Sequence, residues 1–375
     1  MGEPRQRIRF CQAADGVRIA LAEVGEGPPL VKAANYLTHL EFDWVSPVWR
    51  HWLAALSSGH RLIRYDERGC GLSDWEVEDF SLNAWVTDLE TVVDSLHLEH
   101  FPLLGISQGG AVAIAYAVRH PERVSRLVLY GAYAQGRLRR STTPEQRQEA
   151  FTLLDLMRLG WGQDNPAFRQ VFTTLFMPDA TPEQTRSLNE LQRRTTSPAN
   201  AVLFEEAFYA LDVTELARTV SVPTLILHAR NDAMIPFEEG RRLAGLIPES
   251  TFVPLDSKNH ILVEGEPAWT RFVEEIGAFV DHTPTDRGQL GGGDIVGELS
   301  PREHEVLELI SLGLSNAEIA ERLFISPHTL RNHITHVFSK LNTDTRAQAI
   351  VMAREAGMGR SGMDQTGRPQ SSDIT

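Results

Sequence analysis

The sequence predicts an α/β domain with a mostly parallel sheet and a helical cap, followed by a smaller all-α domain. Three observations carry this. Over residues 1–281, short β-branched or apolar runs alternate with longer helical patterns, which is how strands and helices packed in layers read along a chain. Between 132 and 220 that alternation breaks, and the periodicity is helical with no segment reading as a strand. From 282 to 297 the composition turns to HTPTDRGQLGGGDIVG, rich in glycine and polar residues, after which a compact helical pattern runs over 298–357.

In order along the chain, strands are expected at 17–24, 29–33, 61–65, 102–106, 124–130, 223–228 and 251–254. Helices are expected at 47–57, 82–96, 108–119, 237–246 and 268–280. The stretch 132–220 then lies over the sheet as a cap. Residues 282–297 form a flexible linker that spans on the order of 20 Å, and 358–375 a disordered tail. A chain of 375 residues exceeds the size at which one core stops growing, in keeping with two domains.

Composition narrows the function. A hydrophobic content of 42% with 23% charged residues belongs to an ordinary globular protein. No stretch approaches the roughly 20 apolar residues of a membrane span. The opening MGEPRQRIRF has no apolar signal region, so a soluble, cytoplasmic chain without membrane contact is expected. Cys11 and Cys70 stand far apart in neither metal nor redox spacing, and His97 and His100 match no metal motif. No metal and no cofactor are expected. The net charge of −14 repels phosphates at a distance, so any contact with DNA must be local.

Gly105-Ile106-Ser107-Gln108-Gly109 fits GxSxG, where flanking glycines let a strained strand-to-helix turn present the serine hydroxyl. Chance alone would produce the pattern in about one chain of this length in ten. Its context is more specific, because it follows the apolar run PLLGI and opens the helical QGGAVAIAYAVRH. A hydroxyl needs a base, and the base needs a carboxylate to orient it. Asp232 follows the strand TLILHA and His260 follows the strand TFVPL, both at strand ends and in the order serine, acid, histidine.

With those residues placed, the region from about 17 to 281 resembles the α/β-hydrolase fold. DERGCGLSD at 66–74 looks like its DxRGxGxS loop, ARNDAMIP at 229–236 like its acid loop, and NHILVEGEP at 259–267 like its histidine loop. The resemblance implies Ser107 as nucleophile, His260 as general base and Asp232 as its orienter. One loop departs: where the family has His-Gly after the third strand, this chain has Ala34-Asn35 within PLVKAANYLTH. The amide of Gln108 would supply one oxyanion donor and that of Tyr36 the second. Loss of one such donor costs about 3 to 4 kcal/mol of transition-state stabilisation. Two readings stay open, a slow enzyme or pure receptor for a small apolar ligand, and a working esterase or lactonase. Phe151, Phe172, Phe176, Phe204 and Phe208 in the cap either line a ligand pocket or fill the core of the cap itself.

In the C-terminal region, Ser300 with Pro301 and Glu303 reads as a capped helix start. The helix stops at Gly313, a second begins with Asn316 as cap, and a third with Ser326 and Pro327. On a wheel of the third helix, Leu330, Ile334, Val337, Phe338 and Leu341 form the core face, and His328, Arg331, Asn332, Thr335 and Ser339 lie opposite with no acidic residue among them. Arg reads guanine and Asn reads adenine in the major groove of double-stranded DNA. Thr329, His333, His336 and Lys340 flank the stripe, where phosphates would lie. The string LSPREHEVLELISLGLSNAEIAERLFISPHTLRNHITHVFSKLNTDTRAQAI resembles the C-terminal domain of LuxR-type (GerE-like) regulators over that module's full length. The resemblance implies a support helix at 301–312, a scaffold helix at 317–323, a recognition helix at 327–341 and a dimerisation helix at 345–356. The family's base-contacting positions fall on Arg331, Asn332 and Thr335. Because acidic residues outnumber basic ones in this module, a monomer should bind modestly and a homodimer is expected. A small bundle that binds only protein is the bland alternative.

Overall fold

The computed structural model describes residues 5–281, 299–323, 325, 330, 333, 334, 337, 338, 340, 341, 343, 346–355 and 358. The chain divides into two compact units, residues 1–282 and 283–375, each taken by itself below.

The first unit opens with strands β1 (Arg7–Gln12), β2 (Arg18–Val24) and β3 (Pro29–Lys32), followed by helices α1 (Leu40–Val45) and α2 (Arg50–Leu56). Then come β4 (Arg61–Tyr65), α3 (Leu82–Ser95), β5 (Phe101–Ile106), α4 (Gly109–Arg119) and β6 (Val124–Tyr130). The cap follows as α5 (Arg137–Arg140), α6 (Pro144–Gly160), α7 (Ala167–Phe176), α8 (Pro182–Thr195), α9 (Pro198–Ala210) and α10 (Thr214–Arg218). The unit closes with β7 (Thr224–Ala229), α11 (Phe237–Leu246), β8 (Thr251–Leu255) and α12 (Pro267–Val280).

The strands form one sheet in the order β1-β2-β4-β3-β5-β6-β7-β8. β2 pairs antiparallel with both β1 and β4, and the remaining pairs run parallel. A parallel strand covered on both faces can be apolar throughout, and β7 is buried at all six positions. Every strand expected from sequence is present within a residue at each end. β1 and α1 were not anticipated. β1 alternates Arg7 and Arg9 with Ile8 and Phe10 and is mostly exposed, an edge strand with no apolar run to betray it. The six residues of α1 are too few for a helical period to emerge, and its start is capped by His39 Nδ1, which accepts from the Phe42 N–H at 3.3 Å.

The cap is helical as expected. Helices α6 and α8 each begin with a capping box and a proline, Thr143 with Gln146 and Thr181 with Gln184. Its entry and exit are stitched together: Gln135 bridges Asp212, the Gly136 N–H donates to Leu211 O at 2.8 Å, and the Val213 N–H donates to Ala134 O at 2.8 Å. A Cβ at residue 136 would lie 2.0 Å from Phe208 O, so only glycine fits this neck. Among the described residues no helix is long and apolar enough to cross a membrane, and no cluster of side chains could hold a metal ion.

The second unit contains α13 (Pro301–Ser311), α14 (Asn316–Arg322) and α15 (Arg346–Glu355). Leu330, Val337 and Leu341 are buried in its core with Val306, Leu307 and Ile310, and Ile334 and Phe338 pack against them, as the helical wheel predicts. Ser300 and Glu303 make the expected capping box. The cap of α14 is Ser315, paired with Glu318, rather than Asn316. The Oδ1 of Asn316 instead accepts from Arg346 Nη1 at 2.9 Å.

A candidate active site beneath the cap

Ser107 stands between β5 and α4 with φ of +54°, the left-handed region that a non-glycine residue enters only under constraint. The constraint comes from its glycines. A Cβ at Gly109 would meet Ala34 O at 2.5 Å, and one at Gly110 would meet Ala132 Cβ at 2.4 Å. The turn is therefore wedged between the loops after β3 and β6. It lifts Ser107, half-buried, into a cleft of about 710 Å³ between sheet and cap.

Asp232 and His260 arrive from the ends of β7 and β8. His260 Nδ1 donates to Asp232 Oδ2 at 2.7 Å, while Asp232 Oδ1 accepts from the N–H groups of Met234 and Ile235 at 2.8 Å each. Burial opposes ionisation of this carboxyl, but His260 and those amides together hold it below the usual carboxylate range. The His260 N–H is tied to Phe176 O of the cap at 2.9 Å. Its Nε2 is buried, makes no hydrogen bond among the described residues, and belongs to the same cleft as Ser107. A serine and a carboxylate-oriented imidazole sharing one cleft can carry out nucleophilic acyl transfer.

The oxyanion side is different. The Gln108 N–H makes no hydrogen bond among the described residues and could serve an oxyanion. The Tyr36 N–H, expected as the second donor, is already engaged: it donates to Gln108 Oε1 at 2.9 Å. The Gln108 side chain is held in turn by Glu67, whose Oε1 accepts from Nε2 at 2.7 Å. Burial, with Asp88 nearby, pushes the Glu67 carboxyl up to about 8. The loop that replaces the family's His-Gly is pinned as well, since Lys32 Nζ bonds Asn35 Oδ1 and Leu37 takes φ of +66°. Sequence reasoning located Gln108 and Tyr36 but missed their contact and the part of Glu67, which stood in the motif only as its variable position.

Of the cap aromatics, Phe176 and Phe208 line the cleft, Phe172 and Phe204 are buried in the hydrophobic core, and Phe151 is exposed. The series is thus divided between cleft and core, and Phe151 belongs to neither. Cys70 is buried, with Sγ 3.4 Å from Thr38 Oγ1, and burial pushes its thiol well up, unlike a nucleophilic cysteine.

In the second unit Thr329, Arg331, Asn332 and Thr335 lie outside the described residues. His333 is half-buried. The Nζ of Lys340, expected to meet phosphate, pairs with Glu303 Oε2 at 2.7 Å. That contact and the bonds to Ser300 pull the Glu303 carboxyl down to about 2.

Residues 42–267, more than half of the chain, match the family described as alpha/beta hydrolase fold. The chain belongs to the α/β-hydrolase fold family. This hydrolase-fold protein also carries a second domain, for residues 297–353 match bacterial regulatory proteins of the luxR family. It is 30% identical over 288 residues to a 2-hydroxy-6-oxo-2,4-heptadienoate hydrolase of Pseudomonas putida, covering 72% of this chain and 95% of the other. A protein of Mycobacterium tuberculosis named as an HTH-type transcriptional regulator is 48% identical over 61 residues, which cover 16% of this chain and 7% of that one. Among solved structures, an esterase from Exiguobacterium antarcticum superposes with a TM-score of 0.61 at 24% identity, covering 73% of this chain and 99% of that one, which is a likeness of fold.

Proposed function

We propose that this chain is a one-component transcriptional regulator in which the hydrolase-fold domain binds a small molecule in the cleft and so changes how the LuxR-type domain engages DNA. The observation that carries the reading is the Tyr36 N–H held by Gln108 beside an otherwise assembled acid–base pair. A site with one oxyanion donor occupied keeps its cleft and loses much of its rate. It works as a receptor that turns its ligand over slowly, with Ser107 as nucleophile, His260 as base and Asp232 as orienter. Arg331, Asn332 and Thr335 read base edges, and Thr329, His333 and Lys340 meet phosphates, Lys340 in competition with Glu303. The regulator acts in the cytoplasm as a homodimer.

A ligand-responsive transcriptional reporter tests this. Ser107→Ala should leave the response intact, and Arg331→Ala should abolish binding of the operator in excess competitor DNA. Loss of the response in Ser107→Ala, together with rapid ester turnover by the unaltered protein, would favour the second reading, a working esterase. The His260–Asp232 bond of 2.7 Å and the similarity to named hydrolases are what speak for that reading.

A further inference from the structure

The cap end of the cleft is not apolar. Arg137 and Arg140 of α5 reach it, together with Tyr133, Glu205 and Tyr209. The guanidinium of Arg140 lies over the Tyr133 ring, 5.5 Å from its centroid, and Nη1 donates to Gln135 O at 3.0 Å. Among the described residues no carboxylate comes within ion-pair range of it. Arg137 lies over the Tyr209 ring at 5.9 Å, and its ion pair is with Glu149 at 3.2 Å, whose side chain is 69% exposed.

A half-buried guanidinium with no carboxylate in direct contact is costly, because desolvation disfavours its charge and Glu239 and Glu205 act on it only from a distance. A structural arginine at such a place ordinarily ends on a carboxylate. Here the charge is instead held against an aromatic ring, with Nη2 and Nε bonded to no carboxylate or carbonyl among the described residues, at the cap end of the cleft. Ring stacking fixes the plane of the fork, and parallel N–H groups in that plane match a carboxylate's two oxygens.

We propose that this end of the cleft is a carboxylate subsite, and that the ligand is an amphiphilic monoanion. Its carboxylate docks on Arg140 with Arg137 beside it, and its apolar body runs past Phe208, Leu188 and Leu191 toward Ser107. The inference rests on the reading of the cleft as a ligand site. Glu205 is the gatekeeper of the arrangement. It is 3% exposed and faced by Arg137 and Arg140 of α5, by Tyr36, by Tyr133, and by Tyr209 of its own helix. Burial pushes its carboxyl up to about 7. Below that pH it is neutral and leaves Arg140 to the ligand; above it, its own charge competes.

The test uses the full chain and tryptophan fluorescence, since Trp49 lines the cleft and Trp161 lies 6.1 Å from the Tyr36 ring. Phenylacetate, phenylbutyrate and phenylhexanoate are titrated against the alcohols of the same skeletons. The carboxylates should bind about tenfold or more tightly, the gain expected of charge-assisted hydrogen bonds. Arg140→Gln should remove that preference while leaving the alcohols unchanged, and Arg140→Lys should retain part of it. Glu205→Gln should tighten carboxylate binding above neutral pH alone, which keeps the test open if Arg140→Gln does not fold. Alcohols that bind as tightly, or a preference that survives Arg140→Gln, would overturn the subsite and leave the cleft a ligand site. Binding of neither class would remove both.

Discussion

The acid–base side of the cleft and its oxyanion side are built alike, each from a loop at the end of a parallel strand, yet they are left in opposite states. After β7 and β8 the polar atoms around Asp232 serve one geometry: two amides and an imidazole converge on its carboxylate, and the imidazole keeps its far nitrogen open. After β3 the polar atoms serve one another. Tyr36 is spent on Gln108, Gln108 on Glu67, and Asn35 on Lys32. Possession of a serine, an acid and a histidine in order therefore does not by itself set the rate; the donors that would meet developing charge also have to be free.

The comparison breaks most sharply at Asp232. Asp232→Asn should lower the reactivity of Ser107 toward a fluorophosphonate by about 10⁴-fold, the loss expected when an imidazole is held in the wrong tautomer. Mass spectrometry of the Ser107 peptide reads it, and an unchanged rate would mean that the well-formed side is inert. On the opposite side, Gln108→Ala frees the Tyr36 N–H and should raise hydrolysis of 4-nitrophenyl acetate by up to about 10²-fold, the scale of one oxyanion donor. No gain would show that the Gln108 contact does not limit the rate.

The smallest effect is in pH. Glu67 is protonated below about 8 and ionised above it, and the ionised form holds the Gln108 amide more firmly. Turnover should therefore decline a few-fold as pH rises through 8, whereas Glu67→Gln should give a flat profile there. Stability supplies an independent reading. The folded value lies above the ordinary 4.5, so between 4.5 and about 8 the folded state binds a proton that the unfolded chain has lost. Stability falls with rising pH across that window, and Glu67→Gln should flatten the decline in Tm.

The frame of the hydrolase-fold unit was legible because burial writes itself into sequence. Strands such as β5 and β7 are apolar runs, and α3 and α12 show one-sided periodicity. Ser107, Asp232 and His260 could be located because strand ends in a parallel sheet point to one edge. What escaped were contacts whose partners share no local pattern. Tyr36 and Gln108 are 72 residues apart, and Arg140 reads locally as one more charge in RLRR. The displaced helix cap at Ser315 shows a nearer limit: Ser315 and Asn316 are both good caps, and the choice falls to an arginine 30 residues downstream that claims the asparagine.

The stitched neck between Gln135 and Asp212 has a consequence for how the cap of such a chain could diversify. Because the chain leaves the sheet and returns to it at a single closed point, everything between is an exchangeable cassette. It carries Arg137, Arg140 and Glu205, whereas Ser107, Asp232 and His260 stay behind on the scaffold. Grafting a cassette from a cousin with the same glycine at its hinge could change the lining of the cleft while leaving Ser107, Asp232 and His260 in place.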